Sequence, residues 1–240
     1  MPIKLKLGKQ FFTVFSFFWL VSLSAQDSVR QFKKEAFTEA RYSIYEKNKK
    51  IPLELRKQAL IALSFYPELR DTKIIFRLKK RKTPLTSRPR ISNVFRGKKN
   101  RTYVITVSSQ TKDYLAPILF SRLPYNAQIG VLGHEVGHIV EYKTKSSLQL
   151  IGLSFKLFND DFVDTFEFNT DKRTIEHGLG YQLLDWSIFV RQALGIAVWK
   201  GASEELSVGN KPEATQRYMN PKTVEKYISL HKIYSILNNN

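Results

Sequence analysis

Apolar residues recur at helical spacing through the second half of this chain. Between 127 and 142, Ile129, Leu132, Val136 and Val140 form one stripe, and His134 and His138 fall on the opposite side, with Ala127 and Gly130 one or two turns earlier. No proline interrupts that segment, and Asn126, after Pro124 and Tyr125, is placed to cap it. From Asp160 to Gly180 a second pattern repeats every three or four residues: Asp164, Glu167, Asp171, Thr174 and Gly178 on one face, Phe162 and Phe166 on the other. Such a polar, small-residue stripe suits a helix pressed against another helix. Asn220 and Pro221 have the N-cap and first-turn pairing that opens a final helix, Lys222–Leu237.

The first half is more mixed. Residues 27–48 read as a charged helix, and Ile51–Tyr66 as a second one, with Leu53, Leu60 and Leu63 among its apolar positions. Lys73–Leu78 and Arg101–Ser108 have the β-branched character of strands. In the latter, Tyr103, Ile105 and Val107 alternate with Val104, Thr106 and Ser108, as two different faces require. Pro84, Pro89 and Gly97 make the stretch between them a loop or an irregular hairpin. A few strands beside a larger helical set predict an α+β fold, in one domain spanning 26–240.

Residues 1–25 have the pattern of a secretory signal peptide. Lys4, Lys6 and Lys9 precede an apolar run from Phe11 to Val21, and Ser22, Ser24 and Ala25 supply small residues for cleavage. The run is shorter than the roughly 20 residues of a membrane-spanning helix, and no later stretch approaches that length. The expectation is an exported protein, periplasmic or secreted, with no transmembrane segment after cleavage. The chain has no cysteine, so an exported form relies on its core rather than on disulfides, which fits a bacterial protein of this size.

The chemistry centres on Gly133-His134-Glu135-Val136-Gly137-His138. On a helix the two imidazoles stand at i and i+4 and can reach one ion, while Glu135 sits about a quarter-turn away, placed to move a proton rather than to ligate. This reads as a zinc site for hydrolysis. A catalytic zinc takes three protein ligands and keeps one position open. The third is His177, His231 or a carboxylate, with Glu167 the first choice, then Asp164 or Asp171, then His177. Glu167 and Asp171 have the i, i+4 relation in which one binds metal and the other receives an imidazole N–H.

Together, the His134–His138 run and Glu167-Phe168-Asn169-Thr170-Asp171 resemble the zincin metallopeptidases, more narrowly the gluzincins, whose pattern is HExxH with a downstream ExxxD. The likeness covers roughly residues 100–195. Ile139–Thr144 does not continue as HExxHxxGxxH, which argues against the metzincin branch. The resemblance implies one Zn2+ per chain held by His134, His138 and Glu167, with Glu135 as general base and Asp171 behind a ligand histidine. It also implies a zincin-like sheet, small and antiparallel or mixed, packed on the active-site helix. Its edge strand would pair with an extended polypeptide substrate beside the cleft, and Arg101–Ser108 is the strand expected there. Tyr103, His177, Tyr181, Tyr218 and His231 are candidates to hold a developing oxyanion.

The net charge is +18, and +15 without the three leader lysines. From Thr72 to Lys112 there are 13 lysines and arginines and no acid. That tract predicts contact with the anionic cell envelope and a substrate bias toward acidic residues. Two readings compete with an exported endopeptidase: a catalytically inactive zincin-like binding protein and a basic polyanion binder. Specific nucleic-acid recognition has no support, since neither zinc-finger spacing nor an aromatic RNA-binding signature is present.

Overall fold

The computed structural model describes residues 30–196 and 218–239; the expected signal peptide lies outside them. The helices are α1 (Glu39–Tyr42), α2 (Arg56–Ser64), α3 (Tyr125–Thr144), α4 (Ser147–Lys156), α5 (Asp160–Thr174), α6 (Gly180–Ala193) and α7 (Pro221–Leu230). The strands are β1 (Lys49–Lys50), β2 (Lys73–Leu78), β3 (Leu85–Pro89) and β4 (Thr102–Val107). A small mixed sheet beside a larger helical set is the expected α+β arrangement. Its strand order is β1-β2-β4-β3, with β1 and β2 parallel, β2 and β4 parallel, and β3 antiparallel to β4.

Arg101–Ser108 therefore does not edge the sheet. Its strand, β4, lies between β2 and β3 and is buried along its whole length. The edge on this side is β3, in the segment that proline content marks as a loop or irregular hairpin. Pro84 and Pro89 bracket its pairing instead of breaking it: Leu85 to Pro89 register against Val107 to Tyr103, and proline is tolerated on an edge strand.

Helix α3 is the axis of the fold. It packs against α2, α5, α6 and β3, and residues 129–139 are all buried. The histidine-bearing side is buried as well as the apolar stripe, and His134, Glu135 and His138 line a cavity there. Gly130 shows how close the covering comes: a Cβ there would lie 2.1 Å from the Gln182 carbonyl oxygen of α6. The helix begins at Tyr125, one residue before the expected cap. Asn126 acts across the fold instead, its side chain accepting from Phe32 N at 2.8 Å and donating to Phe32 O at 3.2 Å.

The helix expected over 27–48 is, in its described part, a series of short turns around α1, which ends at Tyr42. The second expected helix opens as a 3-10 turn, Leu53–Leu55, before α2. The final helix opens as expected: the Asn220 side chain accepts from Thr223 N, Pro221 occupies the first turn, and α7 ends at Leu230. Between α5 and α6 the chain widens into a π turn, Ile175–Leu179, where Gly178 has φ +96°. That left-handed conformation favours glycine and lets α6 turn back along α3. No helix among the described residues is long and apolar enough to cross a membrane.

Candidate metal centre

Two helices build the centre. Helix α3 carries His134, Glu135 and His138, and α5 carries Phe166, Glu167, Thr170 and Asp171. Asn159 caps α5 by accepting from Phe162 N at 2.8 Å, and Asp160 and Asp161 sit in its first turn, where the helix dipole favours negative charge. Arg173 braces α5 to α3, donating to Glu141 at 2.7 Å and to the Gly137 carbonyl at 3.3 Å.

Glu167 Oε2 lies 2.9 Å from His134 Nε2 and 3.2 Å from His138 Nε2. One ligand atom from each of the three residues falls within 4.8 Å of the other two, the only such group of three among the described residues. This buried set could bind a metal ion.

The outer nitrogens of both rings are already committed. Asp171 Oδ1, 2.7 Å from His134 Nδ1, is an acceptor when ionised, so Nδ1–H donates to it. The Thr170 hydroxyl donates its single proton to the Phe166 carbonyl at 2.9 Å. Its oxygen must therefore accept from His138 Nδ1–H, 3.1 Å away. Both Nε2 atoms are thus oriented toward Glu167 as ligating positions, with the tautomers fixed from behind.

Electrostatics agree. Burial pulls the His134 imidazolium down, but its bonds to Asp171 and Glu167 outweigh burial and push its pKa up to about 10. Glu167 resists burial in the same way, held well below the usual carboxylate range by His138 and His134. A cation at the shared point would replace the proton in this balance.

Glu135 stands differently. Burial pushes its carboxyl up, against the nearby histidines. Its Oε2 and the Oγ of Ser87 on the edge strand are both buried without a well-formed hydrogen bond, and the nearby Ser87 hydroxyl opposes the rise only weakly. Both residues line a cavity of about 470 Å3 that also reaches His134, His138 and Glu167. Leu115, Ile118, Val131 and Val190 make much of its wall apolar.

The remaining sequence candidates separate cleanly. His177 Nδ1 is 2.7 Å from the Arg173 carbonyl and its Nε2 is 2.9 Å from Glu68, with the ring stacked on Tyr66, so it takes no part in the centre. Asp164 and His231 are outside the group as well. Of the oxyanion candidates, Tyr218 alone lines the cavity, its ring centroid 5.4 Å from that of His134. Tyr103 is buried in the sheet, and Tyr181 packs on Tyr234. Phe166, expected on the far side of its helix, stacks on His138 at 5.0 Å.

Several contributors were missed. Thr170 lies one turn beyond Glu167, so the helical pattern did carry a signal for it. Met219 had none: its backbone N–H donates to Asp171 Oδ2 at 2.8 Å across 48 residues. Its carbonyl accepts from Ser187 Oγ at 3.1 Å and from Arg191 at 3.2 Å. Searches of protein-family models, of curated proteins and of solved structures gave no match to this chain.

Proposed function

We propose that the chain is an exported zinc-dependent endopeptidase. The observation that carries this reading is the convergence of His134 Nε2, His138 Nε2 and Glu167 Oε2 on one point, with the buried Glu135 carboxylate lining the same cavity. Two imidazoles and one carboxylate suit zinc better than magnesium or calcium, which take oxygen ligands. When bound, zinc would supply Lewis acidity toward water and toward a peptide carbonyl.

The chain's own groups do the rest. Glu135 takes a proton from the attacking water and returns it to the departing amine, and its raised affinity for protons suits both transfers. Strand β3 is an edge strand whose Leu85, Thr86 and Ser87 line the cavity, where an extended polypeptide can add as a further strand. The Tyr218 ring borders the same space, which makes it the favoured oxyanion donor. The apolar wall favours a substrate with a large apolar side chain near the cut. Arg77, Arg88 and Arg90 of the basic tract line a separate groove with Ile75 and Val104, so they lend no support to a bias toward acidic substrates.

Purified protein should contain one zinc per chain and digest an unfolded polypeptide such as casein. Glu135→Gln should keep the metal and lose the digestion. Full metal content with no cleavage by the unaltered protein would favour the inactive binding protein instead.

A further inference from the structure

The acid-free basic tract is built into one side of the fold. Arg77 of β2 and Arg88 and Arg90 of β3 and its extension line a groove of about 320 Å3, together with Ile75, Ile91 and Val104. Arg77 is fixed by donating from Nε to Thr106 Oγ1 at 2.9 Å. Among the described residues no carboxylate pairs with these three arginines. Like charges gathered without a counter-charge favour an anionic partner.

The loop leaving this groove is equally informative. Residues 90–96 form successive tight turns, in which Asn93 N bonds to Arg90 O, Val94 N to Ile91 O and Arg96 N to Asn93 O. Asn93 is buried and Val94 packs on the core, while Ile91 is 74% exposed and Phe95 79% exposed. The apolar tips are held out on a rigid base. The buried Arg101 guanidinium donates to the Val94 and Arg96 carbonyls, to the Lys145 carbonyl and to Ser147 Oγ. Ser147 in turn donates to Val94 O at 2.9 Å. This fastens the loop to the start of α4, where the next residue, Leu148, is 80% exposed. Neither the tract from Thr72 to Lys112 nor α4 carries an acid.

We propose that this side docks on a bilayer carrying anionic lipid headgroups. Ile91, Phe95 and Leu148 enter the interface, and Arg90, Arg96 and Lys99 meet the phosphates. An aliphatic and aromatic tip ringed by cations fits an acyl boundary; a nucleic-acid partner calls for aromatic stacking platforms along a basic groove. The proposal is independent of the metal centre.

The chain has no cysteine, so Phe95→Cys gives a single labelling position. With a polarity-sensitive fluorophore there, phosphatidylcholine vesicles containing about one-quarter phosphatidylglycerol should shift its emission to the blue. Pure phosphatidylcholine vesicles should not, which also separates this contact from insertion of residues 1–25. The same label on Leu53→Cys, after the strand at the other edge of the sheet, should stay unshifted. Adding Arg90→Ala and Arg96→Ala should weaken the response roughly 30-fold, and high salt should suppress it. No shift with the anionic vesicles overturns the proposal. So does a shift produced by a single-stranded oligonucleotide instead of vesicles, or by raising protein concentration alone, which would assign the surface to nucleic acid or to a second copy of the chain.

Discussion

Asp171 grips His134 from behind, Oδ1 to Nδ1 at 2.7 Å, while its other oxygen accepts the Met219 N–H at 2.8 Å. One buried carboxylate thus aims a ligand and anchors a distant segment. Asp171→Asn should lower metal affinity by about 10–100-fold without abolishing binding. Calorimetric titration of the metal-stripped protein with zinc measures this directly. An unchanged affinity would show that the His134 orientation is set elsewhere.

Glu167 and His177 make a paired test of the ligand set. Glu167→Ala should strip the metal, since it removes the oxygen that both Nε2 atoms face. His177→Ala should leave metal content intact, because that ring is engaged by Glu68 and the Arg173 carbonyl. Elemental analysis of the two variants decides; the reverse pattern refutes the assignment.

Glu135→Gln should trade activity for stability. Turnover should fall by at least about 10²–10⁴-fold with metal retained. Burial raises the Glu135 pKa above its ordinary 4.5, so the folded protein binds this proton more tightly than the unfolded chain does. The buried charge therefore costs stability as pH rises through the folded-state value, and below 4.5 the cost disappears. Metal-stripped Glu135→Gln should unfold at a higher temperature than the parent at neutral pH, and with little difference in acid. A lower midpoint at neutral pH would contradict the burial argument.

Gly130→Ala tests the packing behind the centre. The added methyl meets backbone, the Gln182 carbonyl, which cannot swing aside as a side chain would. Urea unfolding should show a loss of about 3 kcal/mol or more. A loss under about 1 kcal/mol would mean that α3 and α6 separate easily.

The centre was more legible than the fold around it. Helical spacing alone relates His134 to His138 and Glu167 to Asp171, and these residues converge across α3 and α5. Lys73–Leu78 was readable because its β-branched and aromatic residues suit a half-buried strand, with Ile74 and Phe76 buried in alternation. Strand β3 was hidden, since Ser87 and Arg88 are not β-branched, Pro84 and Pro89 flank the segment, and it pairs only because β4 is beside it. Asn126 shows the same limit: a good capping residue was taken up by Phe32, 94 positions away.

The tie between Asp171 and Met219 also orders events in time. A chain emerging amino end first presents His134, His138 and Glu167 well before residue 219 exists to grasp the carboxylate behind them. The support behind His134 is then completed only as the segment around Met219 settles onto Ser187 and Arg191 of α6.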